Sequence, residues 1–317
     1  MNKWDSKKIA FISILIAMSI SFVIIGTRFA AITSFPSMKL SMAGLPIKII
    51  GFTFGPIIGF IIGFVTDIIS FVFMPAFYFP LYSVALGVSG MLPGLAAICF
   101  NGMYKFYSKD NILRRLKNKK VFILYEKNLA IAKNNTSKIE RTEKKYNLFL
   151  EKIDKIEKWN KEKYQLNYGL IWSVAILLLF LFMLVSIFVV IDQNVIDNVF
   201  KDKGILRLLS NKLLFIAVIV IGITTCIITL FVARFKMKED NFLKFVPIVV
   251  FIVITEYVNI PIIAYADNKA MKIDFVASMI SSLATSIIKI WFNMVIISFA
   301  IRIVLPLITK KTFNGYQ

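Results

Sequence analysis

Charged side chains inside long apolar stretches are the residues of this sequence best suited to chemistry. Lys48 and Lys289 are cations in such stretches, and Asp67 and Glu256 are carboxylates. A charge at the bilayer centre costs about 2.5–3.5 kcal/mol on the insertion scale, so each faces a polar interior and is a candidate site residue. Either acid can pair with a lysine, or can accept hydrogen bonds from the amino groups of a heterocyclic ligand. Glu256 lies one helical turn before Asn259, which adds an amide for the same purpose.

Two further cations, Arg28 and Lys39, fall in the predicted first outer loop, Thr27 to Leu40, which contains no acid. Outer loops of membrane proteins are usually poor in Lys and Arg. With Lys48 and Lys289, these cations predict a site for an anionic ligand that enters from outside. Three alternatives stay open: snorkelling, pairing with an intramembrane acid, and contact with lipid headgroups.

Aromatic residues crowd the predicted second outer loop and the helix after it. They are Phe73, Phe77, Tyr78, Phe79 and Tyr82. An interfacial aromatic belt is one interpretation. The other is a stacking lid over a flat ligand, because ligand pockets are mostly apolar and aromatic.

Several reactive groups are missing from the chain. It has no histidine, and its two cysteines, Cys99 and Cys226, lie within apolar runs where a small buried hydrophobe is the simplest interpretation. No glycine-rich phosphate-binding loop ending in Gly-Lys-Ser/Thr occurs. We therefore expect no catalytic residues, metal or cofactor in this chain, and any ATP chemistry must come from another subunit.

The composition indicates the kind of protein that positions these residues. Of 317 residues, 58% are hydrophobic and 18% charged, and the mean hydropathy is +0.76. Globular proteins average about 25% charged residues, so a soluble enzyme is excluded. The 38 Lys and Arg against 18 Asp and Glu give a net charge of +20. Most of this excess flanks apolar segments, which favours topology and anionic lipid over nucleic acid as its explanation.

Apolar runs predict an all-α membrane protein with eight spans. The spans are Ile9–Gly26, Ser41–Phe54, Pro56–Val72, Leu81–Tyr104, Tyr168–Ile191, Leu213–Ala233, Phe245–Ala266 and Phe275–Pro306. Glycine followed by proline at Gly55-Pro56 ends one helix and begins the next. The positive-inside rule places both termini in the cytoplasm, and makes Asp192–Lys212 and Asp267–Asp274 outer loops.

Four regions follow: helices 1–4 in 1–106, a basic insert in 107–167, two spans in 168–243, and the last two spans with a tail in 244–317. From Lys105 to Tyr168, 18 basic and 8 acidic residues accompany apolar positions at helical spacing. This predicts a solvated cytoplasmic helical segment. Small residues at Ser13, Ala17 and Ser21 would let another helix approach closely.

One stretch resembles a known family. It comprises TRFAAITSFPSMKLSMAGLPIKIIGFTFGPIIGFIIGFVTDIISF and then YFPLYSVALGVSGMLPGLAA, within Thr27 to Ala97. It is similar to the substrate-binding S component of energy-coupling factor (ECF) vitamin transporters, most of all the folate group. That group shares the LPI-x-x-x-G-x-x-FGP-x-x-G core, an Asp on the third helix and a YFPG-like loop. Ser282–Ile297, with Lys289, resembles the last family helix.

The resemblance covers about 1–106 and 244–308, and implies a six-helix S-component-like bundle with an insertion at 107–243. Leu81 replaces the usual glycine after Tyr78-Phe79-Pro80, and Ser13 and Ser21 replace alanine. These departures bear on which vitamin is bound more than on membership of the S-component class.

The resemblance implies a membrane subunit that captures a vitamin at the outer face and works with a coupling protein and two ATPases. Folate is a flat dianion, which suits the unpaired cations and aromatic loop better than nearly neutral riboflavin does. Arg28, Lys39 and Lys289 would hold its carboxylates, and Lys48 is a further candidate. Tyr78, Phe79 and Tyr82 would stack and gate, Glu256 and Asn259 would bind the ring, and Ser13, Ala17 and Ser21 would face the coupling protein.

Other functions stay open. One is an S component for another vitamin, such as riboflavin. A second is a non-transporting assembly or receptor subunit whose basic insert binds a cytoplasmic partner, lipid or RNA. A third is an intramembrane enzyme using Asp67 and Glu256, although neither a nucleophile nor a metal set accompanies them.

Overall fold

A computed structural model describes the backbone of residues 6–33, 36–73, 79–158, 161–200 and 210–309, and nearly all side chains of 9–25, 44–73, 79–158, 165–200 and 210–303. All elements in these ranges are α-helices. They are α1 Ser6–Thr33, α2 Pro36–Phe54, α3 Pro56–Phe73, α4 Pro80–Phe106, α5 Lys109–Ala132, α6 Thr136–Glu157, α7 Lys161–Val190, α8 Gln193–Phe200, α9 Lys212–Lys236, α10 Glu239–Met271 and α11 Phe275–Thr309.

Local sequence explains several helix boundaries. Pro36, Pro56 and Pro80 each open a helix, where the missing N–H costs nothing. Between α2 and α3, Gly55 has a φ of +104°, a backbone conformation that other residues rarely adopt. The side chain of Ser108 accepts a hydrogen bond from Asn111 N and caps α5. The predicted stop at Gly55-Pro56 is therefore present.

Two predicted outer loops are wrong in extent. The segment Thr27–Leu40 is helical up to Thr33 and again from Pro36, so α1 and α2 are longer than their apolar runs. Likewise α10 continues through the predicted loop to Met271 and ends at Lys272, whose φ is 58°. In both places the helix continues past the predicted span, because the hydrogen bonds within a helix do not depend on apolar side chains. Part of the predicted loop 192–212 also forms the short helix α8.

The chain is a multi-pass membrane protein by the length and composition of its helices. Among the described residues, 6 helices are long and apolar enough to cross a membrane: α3, α4, α7, α9, α10 and α11. The first two predicted spans are represented by shorter apolar stretches, Ile9–Phe22 and Gly44–Phe54. The all-α membrane class is therefore confirmed, and the number of eight spans stays a prediction.

Helix α10 is the centre of the structure. The most apolar stretch of α10 is 72% buried, against 22% for that of α7. Helix α10 packs against α4, α7, α9 and α11. Helices α2, α3 and α4 form a second tightly packed group, and α4 joins it to α10. The candidate site therefore has to lie on the faces that α2, α4, α10 and α11 turn toward each other.

The region between α4 and α10 has two different parts. Helices α7 and α9 pack on α10 and α11, and a Cβ added at Gly222 of α9 would lie 2.7 Å from Ile287 Cγ1 of α11. Helices α5 and α6 instead pack mainly on each other, and an ion pair of 2.9 Å joins Lys127 to Glu143. The two extra apolar helices thus belong to the bundle, while α5 and α6 form a separate polar hairpin.

Candidate functional site

A buried ion pair lies between α2 and α10. Lys48 Nζ is 2.9 Å from Glu256 Oε1, and the two side chains are only 2% and 11% exposed. The same carboxylate oxygen accepts a hydrogen bond of 2.8 Å from Asn293 Nδ2 of α11. A buried charge is tolerated when it is paired and hydrogen-bonded in this way. Three helices are therefore joined at one carboxylate.

A second lysine lies beside this pair. Lys289 on α11 is 6% exposed and interacts electrostatically with both Glu256 and Lys48. Among the described residues, no hydrogen bond or ion pair within 4.0 Å engages its ammonium group. The cluster of Lys48, Glu256 and Lys289 thus holds two cations and one anion, a surplus of one positive charge.

Polar groups extend from the cluster toward α4. Asn259 Nδ2 donates to Ser89 Oγ at 2.6 Å, and both residues are buried. Asn259 Oδ1 has no hydrogen-bond partner among the described residues. Gly44 lies between this pair and Lys48: a Cβ added there would be 3.7 Å from Lys48 Cε and 3.9 Å from Ser89 Oγ. We refer to Lys48, Ser89, Glu256, Asn259, Lys289 and Asn293 as the polar cluster.

The polar cluster lies deep in the bundle. Lys289 is the central residue of the apolar part of α11, Phe275–Ile303. With a rise of about 1.5 Å per residue, it is about 20 Å from either end of that segment. Lys289 is therefore about halfway along its apolar helix, where an intramembrane charge is most costly.

The predicted aromatic residues have a structural contact of their own. Phe79 and Tyr82 are in edge-to-face contact, with ring centroids 6.4 Å apart. Tyr82 donates to Asp267 Oδ1 at 2.6 Å, and Ser278 donates to the other carboxylate oxygen at 2.5 Å. Asp267 thus connects α4, α10 and α11 at one end of the bundle, and Tyr82 is fixed by this bond.

The two predicted intramembrane acids have different partners. Asp67 accepts a hydrogen bond of 2.6 Å from Ser83 of the neighbouring helix α4. Glu256 is paired with Lys48, which was one of the alternatives for a lysine in an apolar helix.

The predicted site residues are thus divided into four groups. Lys48, Glu256, Asn259 and Lys289 belong to the polar cluster, and Phe79 and Tyr82 lie at the end of the bundle. The side chains of Arg28 and Lys39, and all of Tyr78, lie outside the described residues. Ser13, Ala17 and Ser21 share an exposed face of α1, opposite the buried Ile12 and Leu15. Their predicted contact with a coupling protein remains a prediction.

Sequence reasoning missed three polar residues of this region. Asn293 follows Lys289 by one helical turn, and that spacing within an apolar run was the available signal. Ser89 gave no such signal, since small polar residues are common in membrane helices. Asp267 was assigned to a loop because its helix was predicted to end too early.

Comparison of the chain with known protein families, curated proteins and solved structures finds no match. Among the described residues, no group of three or more Cys, Asp or Glu side chains is arranged to hold a metal ion.

Proposed function

We propose that this chain is the vitamin-binding S component of an ECF-type importer and that its ligand is folate-like. It would span the bacterial plasma membrane with both termini in the cytoplasm, as a six-helix S-component-like bundle with an insertion. A coupling protein and two ATPase subunits would drive the transport cycle. The sequence similarity within Thr27–Ala97 supports the class, and the polar cluster supports an anionic ligand.

The surplus positive charge of the polar cluster is the observation that carries the proposal. A surplus positive charge in a buried cluster is costly, and a carboxylate ligand would compensate it. Lys48 is already paired with Glu256, so Lys289 is the cation that remains for the ligand. Asn259 Oδ1 is a hydrogen-bond acceptor that an amino group of a heterocycle could use.

In this proposal the other predicted residues keep their roles. Arg28 and Lys39 would attract and hold the second carboxylate of the vitamin near the outer surface. Tyr78 and Phe79 would stack on its flat ring. Tyr82 has a fixed hydroxyl, so its contribution would be to hold the outer ends of α4, α10 and α11 while its ring contacts Phe79.

The test is ligand binding by the purified, solitary chain. We expect folate to bind the chain more tightly than riboflavin does, and Lys289→Gln to weaken folate binding. A hydrogen bond to a charged group contributes about 1.5–3 kcal/mol, which corresponds to a loss of about 10- to 100-fold in affinity. The readout is titration calorimetry or intrinsic fluorescence in detergent.

Lys244→Gln is the matched control, because Lys244 is an exposed lysine near the N-terminus of α10 and is not part of the polar cluster. It should leave affinity unchanged. If removal of both the Arg28 and Lys289 charges leaves folate affinity within about 1 kcal/mol of wild type, the assignment of these residues is wrong. Tight binding of riboflavin instead would keep the class and change the vitamin. Binding of neither would favour the assembly-subunit alternative.

A further inference from the structure

Two cavities that share Phe106 and Tyr107 lie along α4, apart from the polar cluster, and we refer to them together as the groove. Its apolar part lies between α4 and α7 and has a volume of about 480 Å³, with Phe100, Met103, Trp172 and Ile176 among its lining residues. Phe106 and Tyr107 line this part and also a second cavity of about 420 Å³. The second cavity is bounded by α5 and contains Arg115 and Lys119. The groove is thus apolar at one end and cationic at the other.

The lining is held in place by specific contacts. The rings of Tyr107 and Tyr168 are stacked, with centroids 4.2 Å apart and an angle of 12°. Gln165 donates to the Tyr104 carbonyl at 3.0 Å and ties the start of α7 to α4. Arg115 lies over the Phe106 ring at 3.6 Å from its centroid. A cation on an aromatic face keeps its N–H groups available for an anion.

The charge of this region is strongly one-sided. Residues 105–120 include seven Lys and Arg and a single acid, Asp110. Arg115 and Lys119 are one helical turn apart on α5 and are exposed. Among the described residues, neither forms an ion pair with a carboxylate. The cationic end of the groove therefore complements an anion.

The aromatic residues give the depth of the groove. Tyr107, Tyr168 and Trp172 belong to the residue types that concentrate at the membrane–water boundary. Ile176 is eight residues beyond Tyr168 on α7, about 12 Å along the helix. The groove thus extends from headgroup level into the hydrocarbon. Such a shape fits an acyl chain with a charged headgroup, and a soluble phosphate would leave its apolar part empty.

From this geometry we infer that the groove is a binding site for an anionic phospholipid. The acyl chain lies along Phe100, Met103 and Trp172, and the headgroup phosphate contacts Arg115 and Lys119. Basic pockets beside membrane helices bind anionic headgroups by the same combination of charge and apolar surface. The site is distinct from the polar cluster and does not depend on the identity of the vitamin.

Quenching of Trp172 by labelled lipid tests the proposal. The other tryptophans, Trp4, Trp159 and Trp291, are replaced by Phe, and the chain is reconstituted in phosphatidylcholine bilayers at low salt. Phosphatidylglycerol with a doxyl label on its acyl chain is then compared with phosphatidylcholine carrying the same label. One cation near the membrane surface increases the association of an anionic lipid about fivefold. Phosphatidylglycerol should therefore associate with the groove at least about fivefold more strongly than phosphatidylcholine does.

Arg115→Gln combined with Lys119→Gln should abolish this preference. The control is Lys133→Gln with Lys138→Gln, which removes the same charge at the far end of the α5–α6 hairpin, about 27 Å from Arg115 along α5. The control should retain the preference. Equal quenching by the two lipids in the parent, or a preference that survives the Arg115 and Lys119 changes, would overturn the proposal.

A salt titration of the parent covers the case in which the double variant does not fold. Exposed charges are screened within about 3 Å at 1 M salt, so the preference should disappear while quenching by phosphatidylcholine persists. A preference that is independent of salt would also contradict the site.

Discussion

At the residue scale, the polar cluster is governed by its charge balance. Glu256 compensates Lys48 at 2.9 Å and also interacts with Lys289, so one carboxylate serves two cations. Removal of a single partner from a buried pair is strongly destabilising, because it leaves an uncompensated charge. The consequence depends on which partner is removed, and this makes the arrangement testable without any ligand.

We expect Glu256→Gln to destabilise the chain more than Lys48→Gln does. The first change leaves two buried cations with no anion, and we expect a loss of about 3 kcal/mol in the free energy of unfolding. The second leaves Glu256 beside Lys289, which can become its partner, so the loss should be smaller. Unfolding in mixed micelles with increasing dodecyl sulfate measures both.

An exposed pair provides the control for this comparison. Lys155 and Glu151 are 3.1 Å apart on α6, with side chains 66% and 62% exposed. Removal of either charge there should change stability by about 0.5 kcal/mol or less. Equal losses for Lys48→Gln and Glu256→Gln, or the reverse order, would show that Lys289 does not share the carboxylate.

At the element scale, glycines determine how closely α3 approaches α4. A Cβ added at Gly59 would overlap the carbonyl oxygen of Gly90 and lie 2.7 Å from the Cα of Gly51. Close approach of backbones in this way is typical of small residues in membrane helices. Because α4 also carries Ser89 of the polar cluster, this contact positions the cluster relative to α10.

Gly59→Ala should therefore destabilise the bundle, because its new methyl group meets backbone atoms that cannot turn away. Overpacking costs about 1–3 kcal/mol, which exceeds the gain of about 1 kcal/mol from better helix propensity. Gly102→Ala on α4 is the matched control, since a Cβ there would meet nothing within 4 Å. It should be neutral or slightly stabilising in the same thermal unfolding assay. A neutral Gly59→Ala would show that α3 and α4 are not in close contact.

At the scale of the whole molecule, the α5–α6 hairpin is separable from the bundle and the extra apolar helices are not. Lys109 Nζ donates to the Glu157 carbonyl at 2.6 Å, so the two ends of the hairpin lie close together. A short linker can therefore replace it. In contrast, α9 contacts α11 at Gly222 and Ile287, near Lys289.

We expect a chain with residues 109–157 replaced by a short Gly/Ser linker to bind folate within about twofold of the full chain, since the polar cluster is unchanged. The same chain should lose its preference for anionic lipid, because Arg115 and Lys119 are removed. The comparison is a chain that lacks all of 107–243. It should lose more stability than the hairpin replacement does, because it also lacks the packing of α7 and α9 against α10 and α11. Loss of folate binding on replacement of the hairpin alone would contradict this division of roles.

Sequence patterns alone predicted the membrane class, the helical nature of the chain and, to within one residue, the starts of α3, α4, α9 and α11. These properties are local: in a bilayer each helix satisfies its own backbone hydrogen bonds, and proline or glycine marks where it begins or ends. The same logic failed at Thr27–Thr33 and at Asp267–Met271, where helices continue beyond the predicted spans. The length of an apolar run predicts the part of a helix that lies within the hydrocarbon. It does not predict the residue at which the helix ends.

Which polar residues meet depends on the three-dimensional packing of the helices. Lys48 and Glu256 are 208 residues apart in sequence, and Ser89 and Asn259 are 170 apart. Sequence reasoning identified Lys48, Glu256, Asn259 and Lys289 as intramembrane polar residues, since their cost in lipid is a property of each residue alone. Which lysine pairs with the carboxylate depends on how α2, α10 and α11 are rotated against each other. That rotation is set by packing over the whole bundle, which no local pattern contains.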